Sequence, residues 1–494
     1  MTRRLFVDRG SWFKRGGCRK PRTTSHEIAR RIAADLGSPV APTPPVMPGT
    51  DGVAGGGFAT VDEAVRAAAL AQPVFAALPL KVRAAIIAAI RRTMLESADE
   101  LSRLAHEETG LGRVEDKVVK NRLVTEKTPG LEELSPTSVT GDHGLTLTEP
   151  APYGVIGAIT PCTNPTSTII CNTIGMLAAG NAVVFNAHPS AKRCSQQAVA
   201  LLNQAVVAAG GPAHVVTCLA EPSIESAQEL MRHRDVRLLV VTGGGAVVKA
   251  AMSSGKRAIC AGPGNPPVVV DETADLARAA RDIVLGASTD NNIICTDEKE
   301  VVCVASVADG LIQAMTQNDA VLIPPGALAA LEAVIFVKTH GPRERAEINR
   351  ELIGKNAGVI LARIGMTVPP SVRLGVVEVG VDHPLLWTEQ MMPIMPICRV
   401  PSATAAIDLA VEVEGGNRHT AVMHSKNLDN LSRMAKACDC TIFVKNGRSQ
   451  AGLGLDGEGY CSFTIASPTG EGMTGPRSFS RSRRCVLVDH FRIT

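Results

Sequence analysis

The chain reads as an α/β protein built on a doubly wound, mostly parallel sheet. Two observations predict this. After Tyr153, short runs rich in Val, Ile and Ala alternate with stretches of helical period. Strands are expected at 155–159, 182–186, 215–218, 238–241 and 267–270, with helices at 166–179, 191–209, 223–231 and 246–253 between them. The second observation is Thr242-Gly243-Gly244-Gly245, which joins a strand-like run to a helix-like one. Such a turn is what the carboxyl edge of a parallel sheet requires. At 494 residues the chain is too long for one ordinary core, so two or three domains are expected.

Residues 1–22 hold eight Lys/Arg against one Asp and lack the continuous apolar run of a secretory signal. They fit an organellar transit peptide, an extra arm or an upstream start. Residues 25–37 form an amphipathic pattern, with Ile28, Ile32 and Leu36 four apart. A Pro/Gly-rich linker follows from 38 to 57. A short helix isolated in this way reads as a docking peptide for a partner, or as a frayed terminal helix on the main body.

Helical patterns then cover 61–72, 81–97 and 99–109. A hairpin is expected at 137–150 around Gly141-Asp142-His143-Gly144. From Pro165 to Phe185 there is no charge, yet Asn172, Gly175, Gly180 and Asn181 interrupt the run. It reads as a buried helix, a turn and a strand rather than a membrane span. A second βα region runs from 274 to about 441, and a late strand at 484–493 returns to the hairpin or to a neighbouring subunit. The expected division is an extension at 1–57, a first α/β region at 58–266 with the hairpin as its arm, a second at 267–470 and a return strand within 471–494.

Net charge is +3, which provides no general electrostatic case for nucleic acid. Aromatics are only 3%, so Ala, Val, Leu and Ile must build the core. The 13 Cys are scattered, as in a reduced, cytosolic protein. Cys438-Asp439-Cys440 lacks the spacing of a zinc knuckle, and no metal site is expected.

Four segments carry candidate chemistry. Open N–H groups at Gly243 to Gly245 suit a phosphate, unless the turn is merely tight. In Thr160-Pro161-Cys162-Thr163-Asn164-Pro165, Asn164 offers an amide to a developing oxyanion, or simply caps the following helix. Gly452-Leu453-Gly454-Leu455-Asp456-Gly457 has the G-x-G-x-x-G spacing. No helical pattern follows it, so it reads as a glycine-rich loop. Cys295, in Asp290-Asn291-Asn292-Ile293-Ile294-Cys295-Thr296-Asp297-Glu298, is either a nucleophile or an inert buried thiol.

Taken together these segments resemble the aldehyde dehydrogenase superfamily, and most of all its CoA-acylating branch, the acetaldehyde and propionaldehyde dehydrogenases of ethanolamine and propanediol breakdown. Further segments that carry the resemblance are Glu115-Asp116-Lys117, Ala179-Gly180-Asn181, His188-Pro189-Ser190-Ala191-Lys192, Gly262-Pro263-Gly264-Asn265-Pro266-Pro267, Thr388-Glu389-Gln390 and Pro468-Thr469-Gly470-Glu471-Gly472. The resemblance covers about 58–494. It implies an aldehyde dehydrogenase-like fold, with 58–266 as a doubly wound dinucleotide-binding domain, 267–470 as an α/β catalytic domain and the hairpin and return strand as a β oligomerisation arm, together with a homo-oligomer (dimer or tetramer), NAD as cofactor and coenzyme A as co-substrate.

It also implies roles. Cys295 falls on the nucleophile and Asn164 is the nearest match to the oxyanion amide. Thr160, Pro161, Thr242 to Gly245 and Gly262 fall beside the cofactor. Glu389 falls on the acid that holds the nicotinamide ribose. His383, six residues before Glu389, is either a base for CoA or structural. Where a dehydrogenase lysine usually meets the adenosine ribose, this chain has Asn186 and then His188-Pro189, which leaves NAD and NADP both open.

One departure has chemical weight. Hydrolytic members carry a Glu about 34 residues before the nucleophile, where it activates water. Here Cys260 takes that place. A thiol does not activate water usefully, so the acyl group waits for the better nucleophile, the CoA thiol. The expected reaction is a short aldehyde with CoA and NAD going to acyl-CoA and NADH through an acyl-Cys295 thioester. The alternatives are a hydrolytic dehydrogenase and a non-catalytic scaffold of the same fold. Branch members often carry an amphipathic N-terminal peptide that targets a bacterial microcompartment. That implies a cytoplasmic or encapsulated protein, with residues 25–37 on a shell protein.

Overall fold

A computed structural model describes residues 57–493. The expectations for 1–22, 25–37 and nearly all of the linker lie outside the described residues. Four helices come first: Val61–Ala76, Leu80–Glu96, Ala98–Thr109 and Val114–Lys127. The first is set by a capping box, in which Thr60 accepts from the Glu63 N–H and the Glu63 carboxylate accepts from the Thr60 N–H.

The first sheet has six strands: β1 (Gly57–Phe58), β4 (Val155–Ile159), β5 (Ala182–Asn186), β6 (Val216–Leu219), β7 (Val236–Thr242) and β8 (Ala258–Ala261). Their order is β1-β6-β5-β4-β7-β8, all parallel. Between them run the helices Pro165–Ala178, Lys192–Ala208, Ile224–Arg232 and Gly245–Met252. The strands are buried on both faces, which is why they read as continuous apolar runs.

The chain then crosses to a second sheet of seven strands. These are β9 (Pro267–Val270), β10 (Glu300–Val304), β11 (Ala320–Leu322), β14 (Leu374–Val379), β15 (Ile394–Val400), β16 (Thr420–His424) and β17 (Ile442–Lys445). Their order is β11-β14-β15-β10-β9-β16-β17. Two small pairs join β12 (Phe336–Lys338) to β13 (Glu347–Ile348), and β18 (Ile465–Ala466) to β19 (Gly472–Met473). The third sheet is antiparallel, β2 (Thr137–Gly141), β3 (Gly144–Pro152) and β20 (Ser480–Val488).

Two expectations need correction, and one helix goes unannounced. The strand at 267–270 does not extend the first sheet. β8 takes that place, and the Gly262-Pro263-Gly264-Asn265-Pro266 run carries the chain across to the second sheet. Two prolines without N–H groups cannot continue a central ladder. The late strand is Ser480–Val488 rather than 484–493. It stops because Asp489 turns left-handed at φ 60° and donates its N–H to the His143 carbonyl. Its partner is the early hairpin, with Cys485 opposite Leu147. Finally, the helix Val114–Lys127 carries no apolar stripe to announce it. Its buried face holds Lys117, Lys120 and Asn121 beside Leu123 and Val124.

The uncharged run at 165–185 forms a buried helix and β5, as expected. No helix among the described residues is long and apolar enough to cross a membrane. The Gly452–Gly457 run lies in and after a tight 3₁₀ turn, Ser449–Leu453, with no helix behind it.

Candidate active site

Strands β4, β7 and β8 end side by side, with Ile159 opposite Val241 and Thr242 opposite Ala261. Thr160-Pro161, Thr242 to Gly245 and Gly262 therefore share one carboxyl edge. β4 is also where the winding reverses, since β5 and β6 lie to one side and β7 and β8 to the other. Crevices at such points receive ligands. Gly244 and Gly245 start the helix Gly245–Met252, and a Cβ on either would meet nothing within 4 Å. That open helix start fits a cofactor pyrophosphate. Gly243 is tighter, because a Cβ there would come 2.8 Å from Val247 Cγ1. The Thr242 hydroxyl is engaged by Thr464 Oγ1 at 3.0 Å, and the Thr160 hydroxyl is buried without a partner.

Cys295 stands on a loop that follows three consecutive left-handed residues, Asp290 (φ 46°), Asn291 (φ 57°) and Asn292 (φ 67°). Asp and Asn tolerate this conformation better than other side chains, but a run of three needs support. Each one has it. Asp290 accepts from Lys117 Nζ at 3.0 Å, from the Arg113 N–H at 2.6 Å and from Lys120 Nζ. Asn291 donates to the Gly354 carbonyl and to Asn356, both within 2.9 Å. Asn292 donates to the Ala287 and Glu298 carbonyls at 2.8 Å. Gly112 fits underneath only because it lacks a Cβ, which would stand 1.9 Å from Asp290 Oδ1.

The charged run after Cys295 is also buried. Asp297, Glu298, Lys299 and Glu300 are all inaccessible. Lys299 Nζ uses its three donors on Asn292 O, Asn292 Oδ1 and Ile294 O, at 2.7, 2.7 and 3.1 Å. Glu298 accepts from the Ser449 N–H and hydroxyl, and Asp297 from Gln450 Nε2 at 2.6 Å. Cys295 itself is half-buried. Burial pushes its thiol up to about 12, with Glu389 and Asp297 adding to that and Lys299 opposing it. The resting side chain is a thiol, not a thiolate.

Asn164 sits at the N-cap of Pro165–Ala178 but makes no side-chain cap. Its Oδ1 accepts instead from Lys120 Nζ at 2.6 Å, and Lys120 reaches on to Asp290. One ammonium thus ties Asn164 to the cysteine loop. On the other side, Gly264 lies between several candidates. Its N–H points at Glu389 Oε1 at 3.5 Å, and a Cβ on it would stand 2.7 Å from the Cys295 carbonyl and 3.1 Å from His419 Cγ. Gln390 Nε2 donates to the Lys299 and Ile394 carbonyls, which holds the Glu389 segment to the same loop. Gly262 packs under Pro468, which lines a cavity of about 340 Å³ with Pro263 and Arg418.

The sequence profile of the aldehyde dehydrogenase family matches residues 50–454. The chain belongs to the aldehyde dehydrogenase family. It is 52% identical over 439 residues to the acetylating acetaldehyde dehydrogenase EutE of Escherichia coli, covering 89% of this chain and 93% of that one. It is similar to a Rhodopseudomonas palustris propionaldehyde dehydrogenase solved with bound CoA and an acylated cysteine. There the identity is 50% and the TM-score 0.85, over 88% of this chain and 98% of that one. A propionaldehyde dehydrogenase from the Clostridium phytofermentans fucose utilisation bacterial microcompartment superposes with TM-score 0.86 at 46% identity, over 89% and 100% of the two chains.

In this aldehyde dehydrogenase the His383 ring lies against the Glu332 side chain. Its ring accepts from the Leu385 N–H and its Nε2 lies 2.6 Å from Glu332 Oε1. Cys260 is buried in the apolar core, its thiol pushed up to about 11 by burial and by Glu471. Sequence reasoning missed Lys117, Lys120, Lys299 and His419. Lysines in a buried helix face and a buried charge run carry no periodic signal, because their partners lie far along the chain. His419 is fully buried with an unpartnered Nε2, and burial lowers it to about 4, so its imidazole is neutral.

The Asp290 cluster makes a stability prediction. Burial alone would raise the Asp290 carboxyl, but Lys120 and Lys117 hold it below its ordinary value. Asp290→Asn keeps the left-handed tolerance and the shape while stranding two buried ammoniums. It should cost about 3 kcal/mol of stability. Urea unfolding at fixed protein concentration measures this, and an unchanged midpoint would refute the clamp.

Proposed function

We propose that this chain is a CoA-acylating aldehyde dehydrogenase acting on a short aldehyde, acetaldehyde or propionaldehyde. What carries the reading is a half-buried thiol on a rigidly held loop, together with a buried thiol at the position where hydrolytic members keep their water-activating Glu. The relatives' names support it. In this reading the Cys295 sulfur adds to the aldehyde carbonyl carbon, its proton leaves, and the oxygen becomes an oxyanion facing the Asn164 amide. Thr160, Pro161, Thr242 to Gly245, Gly262 and Glu389 would hold the cofactor, NAD. When bound, the cofactor supplies the two-electron oxidant that leaves the acyl group as a Cys295 thioester. The CoA sulfur then adds to that carbonyl, the bond to Cys295 breaks, and the thiol is restored.

Product analysis with CoA and NAD tests the reading. Acyl-CoA is expected in a one-to-one ratio with NADH. Free acid would make this a hydrolytic enzyme, and cofactor binding without turnover would make it a scaffold. One methylene separates the two aldehydes, worth only about 1–3 kcal/mol in an apolar pocket, so a substrate panel decides between them.

The domain division at 58–266, 267–470 and 471–494 belongs to the same proposal. The β2-β3-β20 arm would join subunits, since its outer strands present Val139, Val486 and Val488 to solvent. Residues 25–37 would dock on a microcompartment shell protein, placing the enzyme in the cytoplasm inside that shell. Deleting residues 1–37 should leave activity intact and abolish shell association; continued encapsulation refutes the docking role.

A further inference from the structure

Lys120 is 4% exposed at its side chain and is placed between the two halves of the site. Its ammonium donates to Asn164 Oδ1 at 2.6 Å, to Asp290 Oδ2 and, at 3.5 Å, to the Thr163 carbonyl. Three donors meet three acceptors. This settles which way the Asn164 amide faces, because an NH₂ group cannot point at an ammonium. The Asn164 Nδ2 donates one hydrogen to Thr163 Oγ1 at 3.3 Å. Its second hydrogen has no acceptor among the described residues. A cation on the oxygen of an amide strengthens its N–H groups as donors, and more so away from water. Preorganised donors of this kind are what stabilises a tetrahedral oxyanion.

We propose that Lys120 is a positioning residue for the oxyanion donor: held by Asp290, it fixes and polarises the Asn164 amide that faces the oxyanion before and after the acyl-enzyme. The inference rests on the reading of Asn164 given above. It adds a charge behind the amide, carried by a helix with no other part in the reaction.

Lys117 provides the internal control. It lies one turn earlier on Val114–Lys127, is equally buried and binds the same Asp290 oxygen at 3.0 Å, but it does not touch Asn164. A purely structural role would make the two lysines equivalent. Titration supplies a second handle. Burial and neighbouring Lys117 lower Lys120 to about 8, with Asp290 and Asp297 opposing. The other ionisable groups facing the cluster are Asp116, which accepts from the Asp290 N–H and is paired with Arg373, and Cys162, which faces Lys117. Lys120 therefore gives up its proton more readily than an ordinary lysine does.

The test uses the full chain and the pre-steady-state burst of NADH. Asn164→Ala should slow the burst by about 10²-fold or more. Lys120→Met should slow the burst and the steady acyl transfer by a similar factor of about ten or more, with KM for aldehyde little changed, whereas Lys117→Met, which loosens the loop clamp but leaves Asn164 its partner, should slow both far less. The ratio of wild-type to Asn164→Ala burst rates should fall as pH passes about 8, a comparison that cancels ionisation of Cys295 and needs no lysine variant to fold. If Asn164→Ala is as fast as wild type, the oxyanion reading itself fails. If Asn164→Ala is slow but Lys120→Met matches Lys117→Met, or the ratio stays constant from pH 7 to 9.5, only the role of Lys120 is overturned.

Discussion

Cys295→Ala is expected to lower CoA-dependent NADH formation by about 10⁴-fold or more while leaving the fold intact. The size follows from the chemistry, since no other group in the reading forms the covalent bond to the acyl carbon. The intact fold follows from the contacts. The loop is held by Asp290, Asn291, Asn292 and Lys299, whose hydrogen bonds run to Lys117, Lys120, Asn356 and backbone groups and never to the Cys295 sulfur. Removing one half-buried sulfur therefore leaves every clamp in place. Stopped-flow absorbance of NADH, beside a urea melt of the same variant, measures both halves of the expectation. Retained turnover would remove Cys295 from the mechanism.

Withdrawing CoA should reduce the wild-type enzyme to one NADH per active thiol, followed by a steady rate lower by about 10²–10⁴-fold, the usual worth of a general base. The reason lies at Cys260. Burial keeps its thiol protonated across the working range, and its backbone N–H is bonded to Thr469 Oγ1 at 3.0 Å. Nothing at that position can take a proton from water. The Cys295 thioester then persists until a thiol arrives that needs less help than water does. Mass spectrometry of the protein after the burst should find the acyl group on Cys295. Sustained conversion to free acid without CoA would show that another base serves the site.

Much of this molecule is legible in its sequence. The strands Val155–Ile159, Ala182–Asn186 and Val236–Thr242 announce themselves because sheets covered on both faces need continuous apolar runs. The glycine turn at 243–245 is visible for an equally local reason, a strand end followed at once by a helix start. Cys295, Asn164 and Glu389 entered through resemblance, since a lone thiol or amide carries no local mark of its use. The helix Val114–Lys127 escaped notice because its inward face is partly charged.

The α/β alternation and the absence of a carboxylate at 260 can be read from the chain alone. Each of these is a property of neighbours along the chain or of a single residue type. Folding adds that the run from Asp290 to Glu300 is buried around a half-buried Cys295, that Asn164 accepts from Lys120 rather than capping its helix, and that His383 lies against Glu332. A charge goes inside only when partners arrive from elsewhere. Here Lys120 lies 170 residues from Asp290, and Ser449 lies 151 from Glu298. Pairing at that distance appears only once the chain has folded, because desolvating an unpaired charge would otherwise be prohibitive.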